Sequence, residues 1–252
     1  MLKDQLKQIR SSKRLSATTV ITALTTDFFA LHGDGYQGDD PAVTVGFGRF
    51  MRQTVLMIGV NRGATIQQRL AYHFGAVSPA GYRKVNRGLK QAAKFHWPVI
   101  SLINMPGAAA DVAAERTGQS QAIAATIRQM GQLPVPNIAV FLGEGQSGGA
   151  LALANCNRIL MLENSLYSVA SPEAVRAILK NRRQELTAYL PMTAPQLLKL
   201  GLADQVITED QHTVQRLQRA LTAQLTELQT WSPAKLKQQR QAKYLALVAP
   251  SD

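Results

Sequence analysis

Two runs that are apolar at all but one position each constrain this chain more than any other feature. Pro98-Val-Ile-Ser-Leu-Ile103 closes on the small-residue turn Asn104-Met-Pro-Gly107-Ala-Ala-Ala110. Asn137-Ile-Ala-Val-Phe-Leu142 closes on Gly143-Glu-Gly145-Gln-Ser-Gly148-Gly149. A strand that does not alternate polar with apolar is buried on both faces, which is the condition of a parallel sheet between helices. The intervening residues, about 117–130, carry helical spacing, and a third run follows at Arg158-Ile-Leu-Met-Leu162. Strands alternating with helices predict an α/β fold.

The same reading extends outward. Ser16 is a suitable N-cap for a helix through Val20, Ile21, Leu24, Phe28 and Leu31, spaced three and four apart. Residues 43–50 and 54–60 predict two strands joined at Met51-Arg52-Gln53. Helices are expected from Gly81 to His96, Pro172 to Lys180 and Ala194 to Leu200, and strands at 167–169 and 205–207. Residues 213–248 read as helix with a basic face. No fixed-period repeat or low-complexity segment occurs.

Composition narrows the function classes. The one cysteine, Cys156, rules out a disulfide framework and a cysteine-built zinc site in this chain. The first residues, MLKDQLKQIRSSKR, lack the apolar stretch of a signal peptide. No run approaches the ~18 apolar residues of a membrane span, so a soluble cytoplasmic protein is expected. The net charge of +12, concentrated at Lys3 to Arg14, Arg182–Arg183 and Lys235 to Lys243, points to anionic partners: nucleic acid, a phosphorylated cofactor or an acidic surface. Solvated helix faces account for most such residues, and no zinc-finger or RRM signature accompanies them.

Three segments carry possible chemistry. Gly33-Asp-Gly35-Tyr-Gln-Gly38 matches GxGxxG but follows a helix instead of a strand, so it reads as a loop. Gly145-Gln-Ser147-Gly-Gly149 matches the GxSxG nucleophile elbow, which needs a histidine and an acid. Of His32, His73, His96 and His212, chain order favours His212, which sits in a polar stretch. Walker and HExxH motifs are absent. The two small-residue turns remain. Either they are tight structural turns, or their backbone N–H groups bind an anion or a developing oxyanion in one cleft. Their recurrence at two successive strand ends favours the cleft.

Gly143-Glu-Gly-Gln-Ser-Gly-Gly-Ala-Leu-Ala152 resembles the GEGGSGGALA segment of the acetyl-CoA carboxylase carboxyltransferase alpha-subunit family. Phe29 to Pro41, Phe74-Gly75, Gly81-Tyr-Arg-Lys84, Pro106-Gly107-Ala108, Gly118-Gln119-Ser120, Met161 to Ser165 and Tyr167 to Glu173 agree in the family's order. The resemblance spans about residues 15–210. It implies a crotonase-like (ClpP/crotonase) spiral of ββα units over 32–210, flanked by an N-terminal helical segment (1–31) and a C-terminal basic helical extension (211–252). It implies transfer of a carboxyl group from carboxybiotin, held on a biotin carboxyl carrier protein, to acetyl-CoA, giving malonyl-CoA for fatty acid synthesis. The implied partners are a beta subunit in an alpha2beta2 assembly, which carries the zinc, and biotin carboxylase in the wider complex. No metal is implied on this chain. The resemblance makes the amides of Gly145 and Gln146 donors to the biotin ureido oxygen. Pro106, Gly107 and Ala108 form the adjacent wall, and Ser147, Gly148 and Gly149 complete the substrate site.

The chain departs from the family inside that site. Gln146 stands for glycine, Ala109-Ala110 for Tyr-Pro, Arg62 to Arg69 for KGRDTKEN, and Ala174 for the glycine of SPEG. A glycine-only backbone at 146 would strain glutamine by roughly 1–3 kcal/mol. These differences keep three alternatives open: a weakened or non-catalytic subunit, a carboxyltransferase for another acyl-CoA, and a lone crotonase-type hydratase or thioesterase using Glu144 or Glu115. Nucleic-acid binding is a fourth, from charge alone.

Overall fold

The computed structural model describes residues 2–36, 38–178 and 192–247. Helices α1 (Leu2–Ile9) and α2 (Ala17–Leu24) lead into strand β1 (Thr26–Leu31) and the hairpin β2 (Val43–Phe50) and β3 (Gln53–Val60). Then come α3 (Ile66–Ala71), α4 (Pro79–Phe95), β4 (Val99–Ile103), α5 (Val112–Arg116), α6 (Gln119–Gln132), β5 (Asn137–Phe141), β6 (Glu144–Gln146) and α7 (Ser147–Ala154). The chain continues through β7 (Arg158–Leu162), β8 (Leu166–Ser168), α8 (Pro172–Ile178), α9 (Ala194–Lys199), β9 (Gln205–Ile207), α10 (Thr213–Leu228) and α11 (Pro233–Ala246). The expected end of α8 at residues 179–180, and the Arg182–Arg183 pair, lie outside the described residues.

Seven strands form one sheet in the order β1-β2-β3-β4-β5-β7-β9, antiparallel from β1 to β3 and parallel from β3 onward. The central parallel strands β4, β5 and β7 are the apolar runs of the sequence, and both faces are covered as that pattern requires. On one face, Leu56, Ile103, Phe141 and Met161 pack with Tyr82, Leu89, Met130 and Leu153 of α4, α6 and α7. On the other, Met57, Leu102, Val140 and Leu160 pack with Ile21, Leu217, Leu221 and Leu236 of α2, α10 and α11. Strands β6 and β8 pair parallel in a small second sheet. Thus β5-β6-α7 and β7-β8-α8 are successive ββα units, each sending its second strand out of the large sheet.

The expected helix through Leu31 stops early. Thr25 already has extended φ/ψ, and 26–31 forms the edge strand β1 with a register shift between Thr26 and Phe29. Residues 2–31 are therefore two helices and a strand. Between β2 and β3, Phe50 pairs with Gln53, so the turn is Met51-Arg52, both at positive φ. The basic ends are not merely solvated faces. Arg240 is 1 % exposed, and its guanidinium donates to Gly131 O, Leu133 O, Val135 O, Asn137 Oδ1 and Asn157 Oδ1.

Candidate functional site

The two small-residue turns meet at the C-terminal ends of β4 and β5. Met105 N–H donates to Glu144 O (2.7 Å), and Glu144 N–H donates to Asn104 Oδ1 (3.3 Å). The approach leaves no room for side chains. A β-carbon on Gly143 would stand 2.4 Å from Asn104 Oδ1, and one on Gly149 2.9 Å from Ala108 N. Behind them, Val77 bridges Ala108, and Ala109 N–H donates to Val77 O (2.9 Å). Pro106, Gly107 and Ala108 are half-buried beside the start of α7, where Ser147 is exposed and Gly148 half-buried.

The expected strand–turn–helix is a strand–strand–helix, because 144–146 forms β6. Residues of a strand alternate in direction, so Gly145 faces one way and Glu144 with Gln146 the other. Gly145 faces the core: a β-carbon there would lie 2.2 Å from Phe141 Cε1, and Phe141 stacks on Tyr167 with ring centroids 4.5 Å apart. Backbone groups alternate too. Leu166 N–H donates to Gly143 O, while Tyr167 N–H turns away to Met192 O. With Gly145 in register with Tyr167, the β8-facing groups of β6 are those of Gly143 and Gly145. Gln146 shares the parity of Glu144, so its N–H lies on the side of Asn104 and Met105, toward the other turn.

The anticipated strain at Gln146 is absent. Its φ of −137° and ψ of 144° are ordinary extended values, and its side chain is buried, donating to Glu144 Oε2 at 2.8 Å. The left-handed residue is Ser147, at φ 60°. Among the described residues no histidine is hydrogen-bonded to Ser147, and His212 caps α10 with hydrogen bonds to Asp210 and Gln211. That arrangement gives no serine triad.

Glu144 is fully buried and receives four side-chain donors. Arg10 Nε binds Oε1, Arg10 Nη2 lies 3.2 Å from Oε2, Arg62 Nη1 lies 3.1 Å from Oε1, and Gln146 supplies the fourth. A carboxylate so paired is an anchor, not a base open to substrate. Glu115 is exposed on α5. Arg10 also grips Glu173 of α8 (2.8 and 3.2 Å), and that hydrogen bond holds Glu173 below the usual carboxylate range against the opposing effect of burial. Arg14 donates to Leu142 O (2.8 Å) and pairs with Glu209 (2.9 Å). Sequence reasoning missed these two arginines, because nothing in their spacing marks residues that bend back across more than 120 positions.

Beside Ser147 and Gly148 opens an apolar cleft of about 450 Å³ lined by Leu151, Tyr167, Val169, Leu197, Leu200 and Leu202. The GxGxxG segment is a loop, as expected. Asp34 accepts from Tyr36 N, Gly38 N and Arg83 Nε, and Asp40 from Ser78 and Ala42. No group of three metal-binding side chains, and no helix long and apolar enough to cross a membrane, occurs among the described residues.

Comparison with known proteins gives the family and the fold. The profile of the family described as "Acetyl co-enzyme A carboxylase carboxyltransferase-like" matches residues 2–248. The acetyl-coenzyme A carboxylase carboxyl transferase subunit alpha of Streptococcus gordonii is 39% identical over 246 residues, covering 95% of this chain and 96% of that one. The Streptococcus pyogenes subunit is 41% identical over 231 residues, covering 89% and 90%. Among solved structures, transcarboxylase 12S superposes with a TM-score of 0.74 at 17% identity, over 89% of this chain and 43% of that one. A Pseudomonas malonate decarboxylase hetero-tetramer gives 0.67 at 17%, over 85% and 89%. The beta subunit of P. aeruginosa geranyl-CoA carboxylase gives 0.64 at 16%, over 91% and 43%. These structural likenesses show the fold, which is crotonase-like. By sequence, the chain belongs to the acetyl-CoA carboxylase carboxyltransferase alpha-subunit family.

Proposed function

We propose that this chain is the carboxybiotin-handling alpha subunit of an acetyl-CoA carboxylase carboxyltransferase, working with a beta subunit and a biotin carboxyl carrier protein. The carrying observation is the contact of the two turns, which leaves the Gln146 N–H and the free end of α7 on one cleft. Carboxybiotin breaks its N–C bond to release CO2 and leaves negative charge on the ureido oxygen. The biotin anion then takes a proton from the acetyl methyl, and the resulting carbanion forms a C–C bond to CO2. Biotin ends protonated and the product is malonyl-CoA. The substrates supply acid and base, so the protein needs oriented donors and a dry cleft rather than a histidine.

The amides of Gly145 and Gln146 remain the proposed donors. Gln146 N–H is the better placed of the two, since the Gly145 groups face β8. A lost oxyanion donor costs about 3 kcal/mol in the barrier. The apolar cleft beside Ser147 and Gly148 suits the uncharged face of biotin, with Pro106, Gly107 and Ala108 opposite. Zinc belongs, in this reading, to the beta subunit, the assembly is alpha2beta2, biotin carboxylase completes the wider complex, and the setting is the cytoplasm. The weakened-subunit alternative drew on the changes at Gln146 and Ala109-Ala110; the extended backbone at Gln146 removes the strain from that argument, and the turnover assay decides the rest. The test is malonyl-CoA formation from acetyl-CoA and carboxylated carrier by this chain co-expressed with its beta subunit. Turnover requiring both chains supports the reading. A stable complex without turnover overturns it.

A further inference from the structure

Tyr82 stands at the junction of the two turns, and the reaction as described gives it no role. It lies in the first turns of α4, is fully buried, and its hydroxyl finds no hydrogen-bond partner among the described residues. A buried hydroxyl without a partner costs roughly 1–3 kcal/mol, so a phenylalanine would serve the packing better. The hydroxyl's position is specific. A β-carbon built on Gly149 would be 2.7 Å from Tyr82 Oη and 2.9 Å from Ala108 N. The phenol and the Ala108 amide therefore flank the same α-carbon of α7's first turn.

The neighbours are donors. The next amide of the turn, Ala109 N–H, is taken by Val77 O, whereas no acceptor for Ala108 N–H is found among the described residues. The first N–H groups of a helix such as α7 have no partner within it. Burial, reinforced by the Asp40 charge, pushes the Tyr82 phenol well above its ordinary range, so it stays protonated and acts as a donor. Donors gathered without an acceptor fit an oxygen bearing negative charge. The open side of the junction is marked by two glycines: a β-carbon on Gly107 would meet nothing within 4 Å, and one on Gly148 only Ile123 at 3.7 Å. Gly107 itself sits at φ 132°, a backbone conformation that glycine adopts freely and other residues do not.

We propose that Tyr82 is a catalytic hydrogen-bond donor whose hydroxyl, with Ala108 N–H, receives an oxygen of the carboxyl group passed through the cleft. This rests on the carboxyltransferase reading. It adds a side-chain donor to a site otherwise built of backbone amides, and directs it at the carboxyl group instead of the ureido oxygen.

The experiment is Tyr82→Phe in the complex with the beta subunit, assayed beside wild type and counted per mole of assembled complex. The expected result is a kcat lowered about ten- to a hundredfold, with KM for acetyl-CoA unchanged. The melting temperature should be equal or higher, since the variant removes a hydroxyl that has no partner. A phenylalanine complex with wild-type kcat would overturn the proposal, leaving the hydroxyl as packing or as a water-binding group. So would a lowered melting temperature with wild-type kcat, the signature of a purely structural role. If wild type itself makes no malonyl-CoA, the carboxyltransferase reading fails, and that failure is visible before the variant is compared.

Discussion

Replacing Glu144 by glutamine separates an anchoring carboxylate from a catalytic one. The side chain is fully buried and accepts from Arg10, Arg62 and Gln146. Glutamine keeps the shape and one acceptor oxygen, but its NH2 group must face donors where an oxygen stood. Removing one partner of a buried ion pair costs about 3–5 kcal/mol. Two features reduce that figure. The Arg10 and Arg62 side chains are 35% and 20% exposed, and Arg10 keeps Glu173. Solvent screening of the arginines brings the expected loss to about 2–3 kcal/mol.

For a chain of this length each kcal/mol shifts the melting temperature by about 2–4 °C, so Glu144→Gln should melt about 4–12 °C below wild type. Differential scanning calorimetry of the beta-subunit complex measures the shift, and malonyl-CoA formation well below melting measures turnover. Anchoring predicts a clear stability loss with partial retention of turnover. A Glu144 that acts as acid or base in the transfer predicts the opposite. Melting within about 1 °C of wild type together with abolished turnover would refute the anchoring argument.

The buried Arg240 should matter at least as much. Arg240→Met leaves the carbonyls of Gly131, Leu133 and Val135 and the Asn137 and Asn157 oxygens without their shared donor, and urea unfolding should register a loss of about 3 kcal/mol or more. Acid sensitivity should trace in part to Asp39. Burial pulls its carboxyl upward, but Lys84, His32 and the Asp40 N–H together hold it down at about 2. A carboxylate with a depressed folded-state pKa contributes stability that is present above its unfolded value, near 3.8, and lost as pH falls toward 2. Lys84→Met should flatten that limb of an acid-unfolding curve followed by circular dichroism, and an unchanged limb would assign it to other carboxylates.

What was legible in the sequence follows from what periodicity can carry. Strands β4, β5 and β7 were plain because two-sided burial leaves only Ser101 polar inside them, with Asn137 and Arg158 at the first positions of β5 and β7. The turn after β5 was plain because close packing, on Asn104, on Phe141 and on Tyr82 with Ala108, excludes side chains at Gly143, Gly145 and Gly149. Strand β1 was misread because Phe28 and Leu31 continue the spacing of Val20, Ile21 and Leu24, while Thr25 has already left the helix. An edge strand with one open side gives a weak period of two that a chance period of three and four outweighs. The arginines were misjudged for another reason. Charge in a sequence carries no range, and only the fold shows Arg10 and Arg14 reaching β6 and the end of β5, or Arg240 closing the helix–strand connection at 131–137.

The departures from the family pattern then acquire a physical order. On β6, position 145 points into Phe141 and admits no side chain, whereas position 146 points to the polar face occupied by Glu144, Arg10 and Arg62. Glutamine fits there because its amide becomes one more donor to a carboxylate that must be saturated. The alanines at 109 and 110 follow Ala108, which packs against Gly149 of α7, so that contact does not depend on the residues that replace Tyr-Pro. Chemistry performed by main-chain N–H groups depends on where the backbone runs. Substitutions at 146 and 109–110 that leave its path unchanged are therefore expected to keep those donors in place, whereas a methyl group at 145 would meet the Phe141 ring and one at 149 the Tyr82 hydroxyl and the Ala108 amide.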